Sequence, residues 1–573
     1  MARANDEVAR LLEEYADLLT IVGGDAFRAR VYEKAARAVA GHHDDITGLD
    51  AKALRNIGGI GASIAEKIVE YFGTGQIAAV EQLRAKVPAG VRAMTVVPGL
   101  GPRKAMQLHE ELGIASVAEL EEAIRDDRLK GLRGFGPKTA ENLLHGIELA
   151  RAGSGRTQID AAMAVAEEIV TELSTVEGCQ RCTYAGSLRR MRETTGDVDI
   201  LAAAADSTAL MAAFVALPVV ADVIVRGTKK TSIRTTAGLQ VDLRVVPLAS
   251  WGAALQYFTG SKQHNVRIRE LAVRRGLKLS EYGLFQVDSG DLVVSETEED
   301  VYARLGLAWV PPTMREDRGE VDAASAGTLP RLITVDDIKG DLHTHTNLTD
   351  GVSTLAEMLA AAQARGLEYY AVTDHAKNLP MQRMTDAKML KQREQIRALG
   401  SGPMTVLHGT ELNIDPDGEV DWDADFLSAF DVCVASVHSH FNQPSAEMTR
   451  RFIRACENPH VHIIGHPTTR QIGRRPPVEA DWDAVFAAAA ATGTALEINS
   501  HPDRLDLPDE LIWRARHHGV KFAINTDSHS TFHLGHLRFG VAQAQRAWLT
   551  TDDVITAWPL SRLRAFLDAK QHR

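Results

Sequence analysis

Three times in its first 150 residues the chain places an apolar residue between two glycines and follows it, at fixed distances, with a small and then an apolar side chain. Gly59-Ile60-Gly61 precedes Ala65 and Ile68, Gly99-Leu100-Gly101 precedes Ala105 and Leu108, and Gly134-Phe135-Gly136 precedes Ala140 and Leu143. Each copy predicts a tight turn between two helical segments, the second of which turns its small and apolar residues inward. Further along, the period changes. The apolar runs GDVDIL and QVDLRVV read as neighbouring strands. Beyond residue 340, short apolar runs alternate with helical stretches such as LAEMLAAAQARG, DAVFAAAAATG and ELIWRARHHG. Strand then helix, repeated about seven times, predicts a β/α barrel.

The glycine turns carry chemistry of their own. Glycine allows positive φ and lets a phosphate approach the backbone. The start of the following helix offers free N–H groups at its positive end. Such a turn holds a phosphate by position and reads no base. A plain packing repeat is the competing explanation, but three copies with identical internal spacing favour DNA-binding helix-hairpin-helix motifs through Gly59, Gly61, Gly99, Gly101, Gly134 and Gly136.

The segment AGSLRRMRETTGDVDIL, residues 185–201, holds most of a nucleotidyl-transfer site. Asp197 and Asp199 lie two apart in an apolar run, so on a strand both carboxylates leave one face. Asp242, in QVDLRVV, adds a third carboxylate. Oxygen ligands of this kind suit Mg²⁺ and leave room for phosphates and water. Upstream, Gly186 and Ser187 offer small residues and a hydroxyl, and Arg189 and Arg190 offer positive charge. The logic is a two-metal phosphoryl transfer. A D-x-D pair alone is common on solvated strand edges; the glycine-serine turn before it and the third aspartate after it decide for metal.

Sixteen of the 21 histidines fall between 343 and 573. They follow the short apolar runs, as in GDLHTHTNLTDG, YYAVTDH, VCVASVHSH and KFAINTDSH. In a β/α barrel that places them at the C-terminal ends of strands, where such folds keep their chemistry. His, Asp and Glu there exceed what one tetrahedral zinc requires, so two or three metals are expected. A barrel kept only for its shape is the alternative.

Bulk composition narrows the picture without deciding it. A length of 573 residues predicts several domains. The net charge of −12 is concentrated in the C-terminal part, where residues 321–573 carry 25 Lys/Arg against 32 Asp/Glu. Any DNA binding must therefore come from local basic surface, such as Arg226, Lys229, Lys230 and Arg234, and from backbone amides. Cys179 and Cys182 form a C-x-x-C with no second pair, which argues against a zinc ribbon and for buried or edge thiols. There is no signal-peptide core and no apolar run near the ~20 residues that span a bilayer. A cytoplasmic protein with no membrane partner is expected.

GSLRR, TGDVDIL and QVDLRVV, followed by YFTGSKQHNVRIR, resemble the palm and thumb of family X DNA polymerases, the group that includes DNA polymerase beta. The resemblance implies that Asp197, Asp199 and Asp242 are catalytic ligands of Mg²⁺ or Mn²⁺. It implies that Gly186, Ser187 and Arg190 hold the triphosphate, and that Tyr257, Phe258 and Gly260 form the sugar-selecting wall. Asn265 would meet the incoming base, with Arg269 and Glu281 near the nascent pair. Lys262, Val266 and Arg267 stand where the animal enzyme has other residues, so its fidelity and affinity do not carry over. Lys67 matches the Schiff-base lysine of deoxyribose-phosphate lyases, but Ser63 replaces a second lysine there. The C-terminal part resembles the PHP (polymerase and histidinol phosphatase) phosphoesterase domain. Its motifs imply His343, His345, Asp350, His375, Glu411, His438, His466, Asp527 and His529 as ligands of two or three Mn²⁺ or Zn²⁺ ions, with Asp374 orienting one of them.

The resemblance covers essentially the whole chain and is to the bacterial branch, PolX. It implies a multidomain fold: an α-helical helix-hairpin-helix N-terminal region, an α/β nucleotidyltransferase palm with thumb, and a C-terminal PHP β/α barrel. The expected parts are 1–85 (lyase-like), 86–155 (fingers), 156–246 (palm), 247–312 (thumb), 313–334 (linker) and 335–573 (PHP). The linker expectation rests on the Pro, Gly and charge content of PPTMREDRGEVDAASAGTLPRL, 311–332. The implied function is a monomeric repair polymerase that fills short gaps on gapped or primer-template DNA with dNTPs and carries a metal-dependent 3′→5′ exonuclease. Two rivals stay open at this point: a nuclease whose polymerase half only presents ends, and a DNA-end-binding scaffold.

Overall fold

The computed structural model describes residues 4–22, 26–40, 42, 45–95, 97, 100–137, 139–141, 143–144, 146–147, 155–379, 382, 384–400 and 402–571. The chain divides into two compact units. One comprises residues 155–333 with 542–550; the other comprises 3–154 with 334–541 and 551–573. Among the described residues, no helix is long and apolar enough to cross a membrane.

The glycine turns fold as their spacing predicts. Gly59 has φ +95° and Gly134 φ +89°, a region in which a side chain is strained. Helix Ala62–Thr74 begins at Gly61, and helix Pro102–Leu112 begins at Gly101 with proline in its first position. Ile60, Leu100 and Phe135, the residues between the glycines, are buried, as are Ala65, Ile68, Ala105, Leu108 and Leu143. The described glycines of these turns, Gly59, Gly61, Gly101, Gly134 and Gly136, are exposed. Gly99 lies outside the described residues.

In the unit of 155–333, a five-stranded sheet has the order Arg181–Tyr184, Asp197–Ala203, Gln240–Val246, Lys230–Thr235, Val220–Val225. The second and third strands are parallel and the other pairs antiparallel. Helix Ile159–Ser174 buries Ala162, Met163, Ala166, Ile169 and Leu173, an i, i+3, i+4 stripe. A second core, around Ile268, Ala272, Leu284, Val301 and Tyr302, joins helix Lys262–Arg274 to a three-stranded antiparallel sheet.

The stretch 311–332 is not an extended linker. It forms a 3-10 turn, Pro312–Met314, and a helix, Glu320–Ala326. Two of the charges that counted toward a linker, Arg315 and Glu320, are paired inside. Arg315 is fully buried, with Nη1 2.6 Å from Glu298. Glu320 is buried against His264, at 2.6 Å.

In the other unit, seven parallel strands follow chain order: Gly340–Asp341, Tyr369–Val372, Thr405–Asn413, Val432–Ser436, Ile463–Ile464, Ala495–Asn499 and Phe522–Asn525. Thr344 and Ser528, just past the first and last strands, form a parallel bridge, so the sheet curls nearly into a barrel. Most strand residues are buried on both faces, as parallel strands under helices require.

Candidate active sites

Parallel pairing sets Asp199 directly opposite Asp242. In-register residues share a face, and Asp197, two back along its strand, shares it too. The surroundings then drive the carboxylates apart. Burial first, then the charges of Asp197 and Asp242, pushes Asp199 up to about 6. Burial acts on Asp242 as well, but hydrogen bonds from Lys230, Ser232 and Gln240 outweigh it and hold that carboxyl below its ordinary range. Lys230 Nζ lies 2.6 Å from Asp242 Oδ2, and Gln240 Nε2 donates to Oδ1 at 3.1 Å. Lys230, read from the sequence as a DNA-facing charge, therefore belongs to this site. Three converging carboxylates, one of which resists ionising, fit a divalent cation, and an all-oxygen donor set fits Mg²⁺ or Mn²⁺.

Gly186 sits against this cluster with φ +60°, and a Cβ there would stand 2.5 Å from Asp199 Oδ2. Ser187 Oγ shares a hydrogen bond with Thr195 Oγ1 at 2.6 Å. The two arginines diverge. Arg189 is a strut: it donates to Thr259 Oγ1 and, through both terminal nitrogens, to the two oxygens of Glu298. Arg190 donates from Nε to Glu316 at 3.1 Å and from Nη1 to the Thr259 carbonyl. Gly260 ends helix Trp251–Thr259 at φ +70°, where a Cβ would come within 3.1 Å of Arg190 Nη1. Tyr257 and Phe258 meet edge to face at 5.1 Å, and the Arg244 guanidinium lies 4.5 Å over Phe258. Asn265 is held on both sides of its carboxamide, by Gln256 Nε2 and by the Tyr257 carbonyl. Arg269 Nε donates to the Asn265 carbonyl at 3.2 Å. Glu281 stands apart, in the turn between strands Leu277–Ser280 and Gly283–Gln286.

The barrel brings together all nine residues that the PHP motifs imply. His345, Asp350, His375 and His529 form one group, His343, His345 and Asp527 a second, and His375, Glu411 and His438 a third. His466 Nε2 joins through Glu411 Oε1, at 3.0 Å. His345 and His375 are each shared between two groups, the pattern of a multinuclear centre. The fit to metal shows in geometry. His343 Nε2 and both ring nitrogens of His345 are buried without a hydrogen bond. Carboxylate oxygens of Glu411 and Asp527 nevertheless lie 3.2–3.7 Å away. Imidazole-rich groups of this kind suit Mn²⁺ or Zn²⁺. Burial would lower His343, but Glu497, Asp527 and Glu411 outweigh it and raise it well above the ordinary imidazole range. Two of the nine residues, His466 at φ +26° and Asp527 at φ +50°, hold left-handed backbone, strain of a kind that collects at functional sites.

Several contributors escaped the sequence. Glu497 is fully buried, binds His343 Nδ1 at 2.7 Å and accepts from the His466 N–H, so it fixes the tautomer of one ligand and the position of another. Its glutamate-in-a-strand setting, ALEINS, was the available signal. Arg504 brings Nε to 3.9 Å from Asp527 and has a buried Nη1 without a hydrogen bond. Asp374, expected to orient its neighbour His375, instead accepts from Thr346, Thr349 and Gln392, bracing the loop that carries Asp350. Cys179 and Cys182 are free, and burial pushes both thiols up, Cys182 to about 12, so neither is a ready thiolate. Lys67 Nζ donates to Ser63 Oγ at 3.0 Å, about 6 Å from the Tyr15 and Tyr32 rings.

A fold that places a three-carboxylate nucleotidyltransferase sheet and a barrel with three groups of metal-competent side chains in one chain defines a bifunctional enzyme of phosphate-ester chemistry. Family models agree: DNA polymerase beta thumb over 254–316, helix-hairpin-helix domain over 3–77, SAM-like helix-hairpin-helix tandem over 91–150, and PHP domain over 341–501. The chain is 36% identical, over 98% of its length and 99% of the relative's, to the DNA polymerase/3′-5′ exonuclease PolX of Bacillus subtilis. It is 25% identical, over 52% of its length and 53% of the relative's, to rat DNA polymerase lambda. A probable phosphatase of Thermoanaerobacter matches at 28% over 41% of this chain and 96% of its own. The chain belongs to the bacterial PolX family.

Proposed function

We propose that this protein is a gap-filling DNA polymerase of base excision repair with a 3′→5′ exonuclease in its PHP domain. It acts in the cytoplasm as a monomer on gapped or primer-template DNA. The observation that carries the reading is the pairing of Asp199 with Asp242 on one sheet face in a chain that also gathers nine metal-competent side chains in its barrel. The working parts are 1–85, 86–155, 156–246, 247–312 and 335–573.

Asp197, Asp199 and Asp242 would hold Mg²⁺ or Mn²⁺, and the nine barrel residues two or three Mn²⁺ or Zn²⁺; when bound, such ions supply charge neutralisation at phosphate and lower the pKa of the attacking oxygen. The protein's own groups do the rest. Asp242, kept ionised by Lys230, Ser232 and Gln240, is a fixed negative charge that would favour deprotonation of the primer 3′-hydroxyl. Gly186, Ser187 and Arg190 hold the triphosphate, Tyr257, Phe258 and Gly260 bound the sugar, and Asn265 meets the base. In the barrel, Glu497 orients His343, and Arg504 meets the phosphodiester beside Asp527. The backbone amides after Gly61, Gly101 and Gly136 grip DNA phosphates, and Lys67 adds a phosphate-facing charge. One labelled gapped duplex tests the reading: with dNTPs and Mg²⁺ or Mn²⁺ the primer should lengthen, and without dNTPs it should shorten from its 3′ end. A protein that does neither while holding metal and gapped DNA overturns it.

A further inference from the structure

Arg190 is gripped from two sides by a residue far outside the polymerase sequence. Residues 542–550 fold with 155–333 in one compact unit. Within that unit Arg546, 356 positions after Arg190, donates from Nη1 to the Arg190 carbonyl at 2.9 Å. The same Nη1 donates to Glu316 Oε1 at 2.9 Å, and that oxygen also accepts from Arg190 Nε at 3.1 Å. One guanidinium thus fixes the Arg190 backbone directly and its side chain through a shared carboxylate. The Arg546 side chain is 2% exposed, against 13% for Arg190 and 14% for Glu316, so the clamp lies deeper than the group it holds.

Three guanidinium groups act on one carboxylate here. Burial would raise Glu316, but Arg546, Arg190 and Arg192 outweigh it and keep it ionised. Burial lowers Arg190, Glu316 opposes that, and Arg546 and Arg192 add to it. Arg190, with Arg192 and Arg546 close enough to act on it, is a guanidinium of the kind that binds a polyphosphate. A group that positions Arg190 also spares the incoming nucleotide the cost of ordering it.

We infer that Arg546 is a positioning residue of nucleotide addition, which sets Arg190 for the triphosphate of the incoming deoxynucleotide. The inference rests on the proposed role of Arg190. Its test is single-nucleotide addition to a one-nucleotide gap by the full-length protein and its R546A, R546K, R190K and R190K/R546A variants, with primer degradation followed in parallel. R546A should raise KM for the dNTP about tenfold with kcat within about threefold, and R546K should recover most of that loss. Primer degradation should be unchanged. Because Arg546 acts through Arg190, the double variant should be no worse than R190K alone. An unchanged KM in R546A, or losses that multiply in the double variant, overturns the inference while leaving Arg190 in place. If R190K itself leaves KM unchanged, the reading of Arg190 fails and takes the inference with it. If R546A loses both activities through misfolding, R546Q decides: a KM for the dNTP raised about tenfold with primer degradation unchanged supports the clamp, and a wild-type KM overturns it.

Discussion

Asp199 and Asp242 face each other across a parallel strand pair, yet they titrate in opposite directions. Asp199 is raised to about 6 by burial and by its acidic neighbours, whereas Asp242 is held low by Lys230, Ser232 and Gln240. The sheet thus keeps one carboxylate ionised and makes the ionisation of the other depend on a cation.

That division makes Asp199 the sensitive position. Asp199→Asn should reduce nucleotide addition at least a thousandfold, about 4 kcal/mol of transition-state stabilisation. Primer degradation should persist, because the barrel has its own ligands. Primer extension at the wild-type rate by purified Asp199→Asn would remove the palm assignment.

Gly186→Ala tests the same site without touching a ligand. The added Cβ would stand 2.5 Å from Asp199 Oδ2 on a backbone at φ +60°. Nucleotide addition should fall at least tenfold with little change in gapped-DNA affinity, as measured by single-turnover extension beside a binding titration.

In the barrel, His345 belongs to two of the three groups of side chains that could hold a metal. His345→Ala should therefore lower metal stoichiometry and end primer degradation, while extension on an undamaged gap continues. Metal analysis and both assays belong on one preparation; degradation at the wild-type rate in folded His345→Ala would make the barrel structural.

The hairpins offer a clean binding test. A Cβ at Gly101 or Gly136 meets nothing within 4 Å, so a larger side chain there costs the fold little and obstructs only what approaches from outside. Gly101→Val and Gly136→Val should weaken gapped DNA regardless of sequence, with wild-type melting temperatures. Affinity of the wild type should also fall with salt, as counterion release requires. A strong sequence preference in a binding selection would contradict a phosphate grip.

Glu298 supplies a pH dependence. Burial alone would raise it, but Arg315 and Arg189 outweigh burial and bring it from 4.5 to about 2. A depressed carboxyl stabilises the fold above its unfolded pKa and loses that contribution as pH falls through the folded one. Glu298→Gln should cost about 3 kcal/mol at pH 7. The difference from wild type should shrink between pH 4.5 and pH 2 in urea unfolding, and a difference independent of pH would refute the ion-pair account.

Much of the site was legible because its residues lie in short, patterned segments. Period-two alternation put Asp197 and Asp199 on one face, and apolar runs that end in His, Asp or Glu marked metal-competent side chains near strand ends. Local composition misled where tertiary pairing reversed its meaning. The charges of 311–332 look solvated in sequence, yet Arg315 and Glu320 are buried because Glu298 and His264 meet them from distant segments. Asp374 adjoins His375 in sequence but turns to Thr346, Thr349 and Gln392.

The sequence by itself determined the glycine hairpins, the strand bearing the two aspartates and the succession of barrel strands, since each follows from backbone freedom or from a hydrophobic period within a few residues. Only the tertiary structure decided which partners tune them. Lys230 meets Asp242, Glu497 meets His343, and Arg546 meets Arg190 and Glu316. These pairs join segments that no local pattern connects. Whether a buried charge is tolerated, and which proton it keeps, depends on the partner that folding brings within about 3 Å.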